Sequence, residues 1–476
     1  MTTRQLDVER GDMNDLPPVE DAAARLVADL TFDAIPEDAL TGARRLMQDQ
    51  LGLQVGCEAL PWSRAVVELA RSRHAPGRAR TVVHGDRMSP GDAAFVNGTL
   101  GHSFEYDDAH RASSSHPGSC VVSAALAIGE EDDLTLREVL LGIVAGYETY
   151  TRIGVLAAPE LLERGNHPHA QLAPFGAAAV VAKMRNYDAE QTLHALSIAM
   201  SHSAGTTEYT SAGGSVKRLH AGIGTRNGIL AAEMAAAGIT GPASFLTGSK
   251  GYLACFAGRA TGDDAAEAFS PDRTFEITRL WIKPYCCCGC NHAYLDAART
   301  LSGRAEDIEA VELGIQAGAD VVVGNRNAHA WAPQTIEQLQ YSLPFQVALA
   351  LTGHGNGYST HHAYLDGRLK LTDDSDVAGV ARRITIVPKP ELDSGYPGKW
   401  VGDITVTYTD GTRESAFVDN PQGTAENPIS QDDLDAKFRD LTVERLGAER
   451  SEELLRAIVT GDPSQPAAAL VDRLVL

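Results

Sequence analysis

The sequence predicts a mainly α-helical protein: a large all-helical domain that carries an inserted, smaller α+β domain. Three observations lead there. Apolar residues recur three and four positions apart through most of the first 270 residues. Many of those segments have Ala- and Gly-rich apolar faces, which let helix backbones approach closely as in a bundle. Between residues 271 and 413 the pattern changes to short runs of alternating polarity, and after residue 414 amphipathic helix returns. No segment repeats with a period of about 20 to 50 residues, which excludes a solenoid.

Residues 1–15 are polar and acidic and are expected to be frayed. The helical domain, 16–270, opens with periodic patterns over 19–30 and 36–56. In the second of these Leu40, Ala43, Leu46, Met47 and Leu51 keep helical spacing, and Pro36 suits a first helical turn. A short amphipathic helix is expected over 61–73, and ARTVVHG is a brief β-like run. Ser89 then caps a helix with Pro90 at its first position, and that helix ends at a histidine-rich stretch. Helical patterns follow over 121–131 and 134–161, after Pro174, within 186–205, and from about Val216 to a glycine stop at Gly238.

The smaller domain, 271–413, begins with the strand-like RTFEITRLW and a helix from about Asn291. Strands are expected in VELGIQAGADVVV, RRITIVPKP and GDITVTYTDGTRESAFVD, with a hairpin turn at Thr409-Asp410-Gly411. QTIEQLQYSLPFQVALALTG reads as one buried helix. Residues 414–476 should pack back on the helical domain.

Composition bounds the function. With 43% hydrophobic and 22% charged residues, a 476-residue chain has enough apolar material for a large core. A net charge of −22 argues against nucleic acid and against a basic membrane-docking face. No run of about 18 apolar residues exists, and the start lacks the basic and apolar segments of a signal peptide, so a cytoplasmic protein is expected. Seven cysteines, four of them crowded into Cys286, Cys287, Cys288 and Cys290, read as reduced thiols.

The candidate site starts from NGTLGHSFEYDDAHRASSSHPGSC, residues 97–120. These 24 residues hold His102, His110 and His116, the carboxylates Glu105, Asp107 and Asp108, and Arg111. Groups so dense between buried helices are costly to desolvate unless they line a cleft. A second polar cluster, with His167 and His169, precedes the helix after Pro174. A third, Lys217, Arg218 and His220, stands at a helix start, where the macrodipole disfavours cations and a bound carboxylate would reverse the balance. In an extended segment Cys286, Cys288, Cys290 and His292 would share one side. Zinc sites use wider pairs, and no second pair of ligands stands elsewhere, so no metal is expected there and the cysteines read mainly as packing residues.

Together AAFVNGTLGHSFEYDDAH…HPG, FGAAA, VKRLHAGIGTRNGILAAEMAAAGITGPASFLTGSKG, IKPYCCCGCNHAYLDA and NPQGTAENPIS…KF resemble the MmgE/PrpD family over residues 20–440. That family includes 2-methylcitrate dehydratases, cis-aconitate decarboxylases and iminodisuccinate epimerases. The resemblance implies a homodimer, a smaller domain acting as a lid, no cofactor, and a short di- or tricarboxylic acid as substrate. It places the family's acidic cluster on Glu105, Asp107 and Asp108, its active-site histidines on His116 and His167, and its lysines on Lys217 and Lys283, with Cys288 and His292 beyond. It also marks departures: Glu105 for the first Asp, Ala109 for a Thr, His169 for a Thr and Cys286 for a Pro.

The expected chemistry is that of a cofactor-independent lyase, a dehydratase or decarboxylase. Lys217, Lys283 and Arg218 hold substrate carboxylates, while His116 and His167 move protons at a carbon beside one of them. Glu105, Asp107 or Asp108 tunes a histidine. His102, His110, His169, Cys288 and His292 complete the expected substrate-binding set. The same machinery serves an epimerase of a dicarboxylic amino or imino acid, and a non-catalytic carboxylate-binding protein is the alternative from another class.

Overall fold

The computed structural model describes residues 18–259, 263–396 and 398–476, so the expectation for residues 1–15 lies outside the described residues. The protein is mainly α-helical. The first part runs α1 (Pro18–Asp29), α2 (Glu37–Gly56), α3 (Pro61–Arg73), the small antiparallel ladder β1 (Ala79–Arg80) and β2 (Arg87–Met88), α4 (Pro90–Gly101), α5 (Gly118–Glu131) and α6 (Leu136–Ala157). It continues through α7 (Glu160–Glu163), α8 (Pro168–Met184), α9 (Ala189–Met200), α10 (Tyr209–Ala212) and α11 (Val216–Ala236). Ser89 caps α4 by accepting from Asp92 N–H, as its sequence position predicts. A capping box between Thr135 and Glu138 opens α6. This helix is apolar enough to cross a membrane by length and composition, yet 83% of its apolar window is buried in the protein core.

Glycine sets the closest approaches. A Cβ on Gly222 of α11 would lie 2.2 Å from the Phe95 carbonyl oxygen of α4, and one on Gly228 would lie 2.3 Å from the Pro174 carbonyl oxygen of α8. Helix α11 therefore sits tightly between α4 and α8, and its first turn is carried to the same end of the bundle as the end of α4 and the start of α8.

The α+β part contains α12 (Gly289–Thr300), β3 (Ile308–Ile315), α13 (Ala317–Val323), α14 (Ile336–Gln340), α15 (Leu343–Leu351), α16 (Tyr358–Leu365), α17 (Asp376–Ala381), β4 (Ile384–Pro388), β5 (Gly402–Tyr408) and β6 (Arg413–Val418). The sheet order is β4-β3-β5-β6, parallel only between β3 and β4. Ile404, Val406 and Tyr408 alternate inward from β5 and share a second core with α12 and α15. The tail, α18 (Gln431–Leu446), α19 (Ala448–Val459) and α20 (Ala467–Leu474), returns to the helical part: α18 packs on α2, and Ala467 N–H donates to Leu134 O.

Several expectations need correction. Pro36 is the N-cap of α2, not a residue of its first turn. Helix α8 begins six residues before Pro174, with Pro168 at its start and Pro174 inside it. RTFEITRLW holds no strand; Glu276–Arg279 is a 3₁₀ turn fixed by Glu148, whose carboxylate accepts from Ile277 N–H. VELGIQAGADVVV splits after β3, because Asp393 accepts from Ala317 N–H and opens α13 in spite of its valines. The stretch expected as one helix breaks at Tyr341–Ser342, where Ser342 caps a new helix with Pro344 in its first turn. The strands expected in GDITVTYTDGTRESAFVD are present, as β5 and β6, and carry the sheet to Val418. Cys286–His292 is not extended, since Cys288 is the N-cap of α12 and Cys290 and His292 are helical.

Candidate active site

Three helix ends converge. Where α4 stops, the turn after it folds His102 back on Asp107, with Nδ1 2.6 Å from Oδ2. The carboxylate accepts, so Nδ1 carries the hydrogen and Nε2 is bare; Nε2 is buried and has no hydrogen-bond partner among the described residues. Around His102 stand His169, His116 and His167, with ring centroids 4.5, 5.5 and 6.1 Å away. His116 donates from Nδ1 to the Asp108 carbonyl oxygen at 2.8 Å, which leaves Nε2 as its proton-exchanging atom. His167, the N-cap of α8, shares a hydrogen bond with His220 of α11, Nδ1 to Nδ1, at 2.8 Å.

The cations approach from two sides. Lys217, in the first turn of α11, forms an ion pair with Glu105. Lys283, which precedes the cysteine cluster, lies 3.9 Å from the second Glu105 carboxylate oxygen and donates to the Glu105 carbonyl oxygen at 3.3 Å. Glu105 adopts φ +56°, a left-handed conformation that costs a non-glycine residue about 1 kcal/mol. Tyr341, at the break between α14 and α15, stands 3.2 Å from Lys217 Nζ through its hydroxyl.

Burial governs the titration. It pushes the His102, His167 and His169 imidazoles well below their ordinary value, with neighbouring cations or histidines adding to it. His116 is lowered by burial against the pull of Asp107, and His220 is lowered to about 4 by burial and Lys217. Burial and the Lys283 ammonium likewise lower Lys217 well below its ordinary value, against the pull of Cys288. The histidines are thus neutral at pH 7 beside the Lys217–Glu105 ion pair.

Of the residues singled out in the sequence, Glu105, Asp107, His102, His116, His167, Lys217 and Lys283 come together. Asp108 lies beside them but is turned into the core, accepting from Gly118 N–H at 3.1 Å and from the Tyr147 hydroxyl at 3.0 Å. Burial and Asp107 push its carboxyl up to about 8. His169 is in the cluster, yet Tyr150 and Ser119 occupy both of its ring nitrogens, so it supports His102 and leaves no nitrogen for a substrate. Cys288 faces the lysines: Cys290 and both ammonium groups draw its thiol below the ordinary range.

Three residues of the expected binding set are engaged elsewhere. His110 is held by Ser113 and Glu276. Arg218 is spent on Glu337, the Ser103 carbonyl and the Trp62 ring. His292 packs edge-on against Trp281 and Tyr285 and donates to Cys287 O. Tyr209, Tyr341 and His220 belong to the site and were not assigned to it from sequence. His220 alone carried a signal, three residues after Lys217 on the same helix face. An open cleft of about 860 Å³ lies elsewhere, lined by residues such as Leu46, Ile277 and Ile429 and by no histidine or lysine.

Comparison with known proteins gives the family. The MmgE/PrpD N-terminal domain matches residues 21–263 and the MmgE/PrpD C-terminal domain matches residues 285–460. A cis-aconitate decarboxylase of Aspergillus terreus is 28% identical over 454 residues, covering 91% of each chain. The cis-aconitate decarboxylase of Mus musculus is 23% identical over 388 residues, covering 78% of this chain and 76% of its own. The human cis-aconitate decarboxylase is 25% identical over 396 residues, with the same coverage. Fold, site and relatives define a class, a mainly α-helical lyase. More particularly, the chain belongs to the MmgE/PrpD family.

Proposed function

We propose that this protein is a cofactor-independent decarboxylase of a short unsaturated tricarboxylic acid, cis-aconitate or a close analogue. The observation that carries the reading is the Glu105 carboxylate held between Lys217 and Lys283, within a cluster of neutral histidines. A carboxylate already satisfies that pair of ammonium groups, and a substrate carboxylate can take its place. Relatives named for decarboxylation of cis-aconitate match 78% to 91% of this chain.

The chemistry follows from these groups. Substrate carboxylates bind Lys217 and Lys283, and their negative charge lifts the His116 imidazole so that Nε2 takes up a proton. The carbon–carbon bond to one carboxylate breaks and CO2 leaves. Its electron pair spreads over the adjacent alkene and a remaining carboxylate, where the ammonium groups stabilise the developing charge. His116 Nε2–H then delivers its proton to carbon, and solvent restores it; one carboxylate and one proton become CO2 and one C–H bond. Asp107 orients His102 as a second proton carrier, and His167 with His220 forms a third. Access requires the α+β part to open as a lid, because Tyr341 and Lys283 close the site from that side. We place the enzyme in the cytosol as a homodimer.

Proton NMR in D2O with cis-aconitate, citrate, 2-methylcitrate and iminodisuccinate tests the assignment. Loss of one carboxyl from cis-aconitate with deuterium uptake at carbon supports it. Water loss from citrate or 2-methylcitrate, or deuterium exchange into iminodisuccinate without carboxyl loss, would replace decarboxylation by dehydration or epimerisation.

A further inference from the structure

We infer that Lys437, fixed by Asp49, is a positioning residue that holds the two chain segments bearing the active-site acid and the active-site lysine in register. The inference rests on the reading of Lys283 and the 105–107 turn as substrate-facing. It starts from a close helix contact. A Cβ on Gly56 of α2 would fall 2.7 Å from Leu441 Cδ2 and 2.9 Å from the Leu441 carbonyl oxygen of α18, and one on Gly52 would fall 3.1 Å from Phe438 Cδ2. Only glycine at these points lets α18 lie this deep on α2, and the contact delivers Lys437 into the interior.

There the ammonium group meets three acceptors. Nζ is 2.6 Å from Asp49 Oδ1, donates to Tyr106 O at 2.8 Å and donates to Lys283 O at 2.9 Å. Two of its three donors hold backbone carbonyls, and the charge is balanced by the Asp49 carboxylate. The Tyr106 ring lies 3.8 Å from the same nitrogen. Both side chains of the pair are almost completely buried. Tyr106 stands between Glu105 and Asp107, and Lys283 is the second clamp. One side chain from the C-terminal helices thus ties together the backbone on either side of the substrate position.

Stability alone is a poor reason for this pair. Replacing a buried ion pair with apolar residues of similar volume is often neutral or stabilising. An apolar pair would fill the same space but could not hold two carbonyl groups. The separation of Lys217 from Lys283, and of both from His102, depends on those two backbones staying where they are.

The test uses the full-length Lys437→Met variant and the Asp49→Leu/Lys437→Met double variant, which removes the unpaired acid and keeps the fold testable. Hydrogen exchange is measured without ligand over residues 103–110 and 281–288, alongside citrate affinity by calorimetry and steady-state turnover. Expected is a folded double variant in which exchange rises in those two segments, citrate binds more weakly, and kcat/KM falls by about 100-fold. A folded variant with wild-type exchange in both segments, wild-type citrate affinity and wild-type KM would overturn the inference, and so would looser segments with affinity and KM unchanged, since a merely structural lysine moves neither affinity nor KM. Should neither variant fold, Lys437→Gln, which retains one amide donor, carries the same measurements and the same criteria. Failure of the decarboxylase reading is seen separately, as a wild-type protein that turns over none of the acids while the variant's two segments still loosen.

Discussion

Residues 102–116 and 286–292 are the two stretches most crowded with reactive side chains, and the fold treats them differently. In the first, His102 and His116 each spend one ring nitrogen on a fixed partner and keep the other facing the cluster, and Glu105 is held in a left-handed conformation between two ammonium groups. In the second, Cys286 donates to the Phe104 carbonyl, His292 is walled by aromatic rings, and Cys286 and Cys287 are completely buried. Of the four cysteines, Cys288 alone has its thiol drawn below the ordinary range, by Cys290 and both lysines. Density of functional groups is therefore a weak guide, whereas a carboxylate held between two lysines and ringed by histidines is a stronger one.

The contrast can be broken most severely at the lysines. Lys217→Met and Lys283→Met should each lower kcat/KM by about 10³-fold in steady-state assays with a fold unchanged by circular dichroism, because each removes a charge aimed at the developing anion. His116→Ala should cost about 10²-fold, mostly in kcat; near-normal turnover in that variant would remove His116 from the mechanism.

Asp108 sharpens the contrast from within the first stretch, since its carboxyl serves the core. Its folded pKa lies near 8 against 3.8 for the unconstrained group, so the folded state retains a proton that the unfolded state has released, and stability falls as pH rises between the two. The buried histidines have the opposite sign. Their lowered pKa makes stability fall as pH drops below about 6.5 toward the value near 4 at His220. Above pH 6.5 only the Asp108 effect of these remains. Between pH 6.5 and 8 Asp108 should cost about 2 kcal/mol of unfolding free energy measured in urea, partly offset by the lowered Cys288 thiol, so wild type should lose more stability over that range than Asp108→Asn. A midpoint equally steep in the variant would place the titration elsewhere. The smallest effect is expected in the second stretch: Cys287→Ala should leave kcat/KM within about twofold of wild type and lower stability by about 1 kcal/mol. Loss of turnover in a folded Cys287→Ala protein would show that the cysteine cluster is functional.

Much of this was legible in the sequence where cause is local. Ser89 as a cap, the helical spacing of α2, the turn at Gly411 and the lysine at the start of α11 depend on neighbours in the chain, and the structure has each of them. The same holds for the histidine-rich stretch, whose residues reach one another through a single turn. What escaped depends on distant partners. Arg218 sits beside Lys217 but is taken by Glu337 and Trp62, and His110 is taken by Glu276. Tyr341 enters the site only because its helix breaks before Pro344, and α13 forms among β-branched residues because Asp393 caps it. None of these choices can be read from spacing, since each is made by a side chain remote in sequence.

The most direct test of the central claim, that Lys217 and Lys283 form the carboxylate clamp beneath the histidines, is a crystal structure of the protein with bound citrate at neutral pH. The account predicts citrate carboxylates on both lysine ammonium groups, His116 Nε2 turned toward a substrate carbon, and the Glu105 side chain displaced. Citrate bound elsewhere, with Glu105 still paired to Lys217, would contradict it.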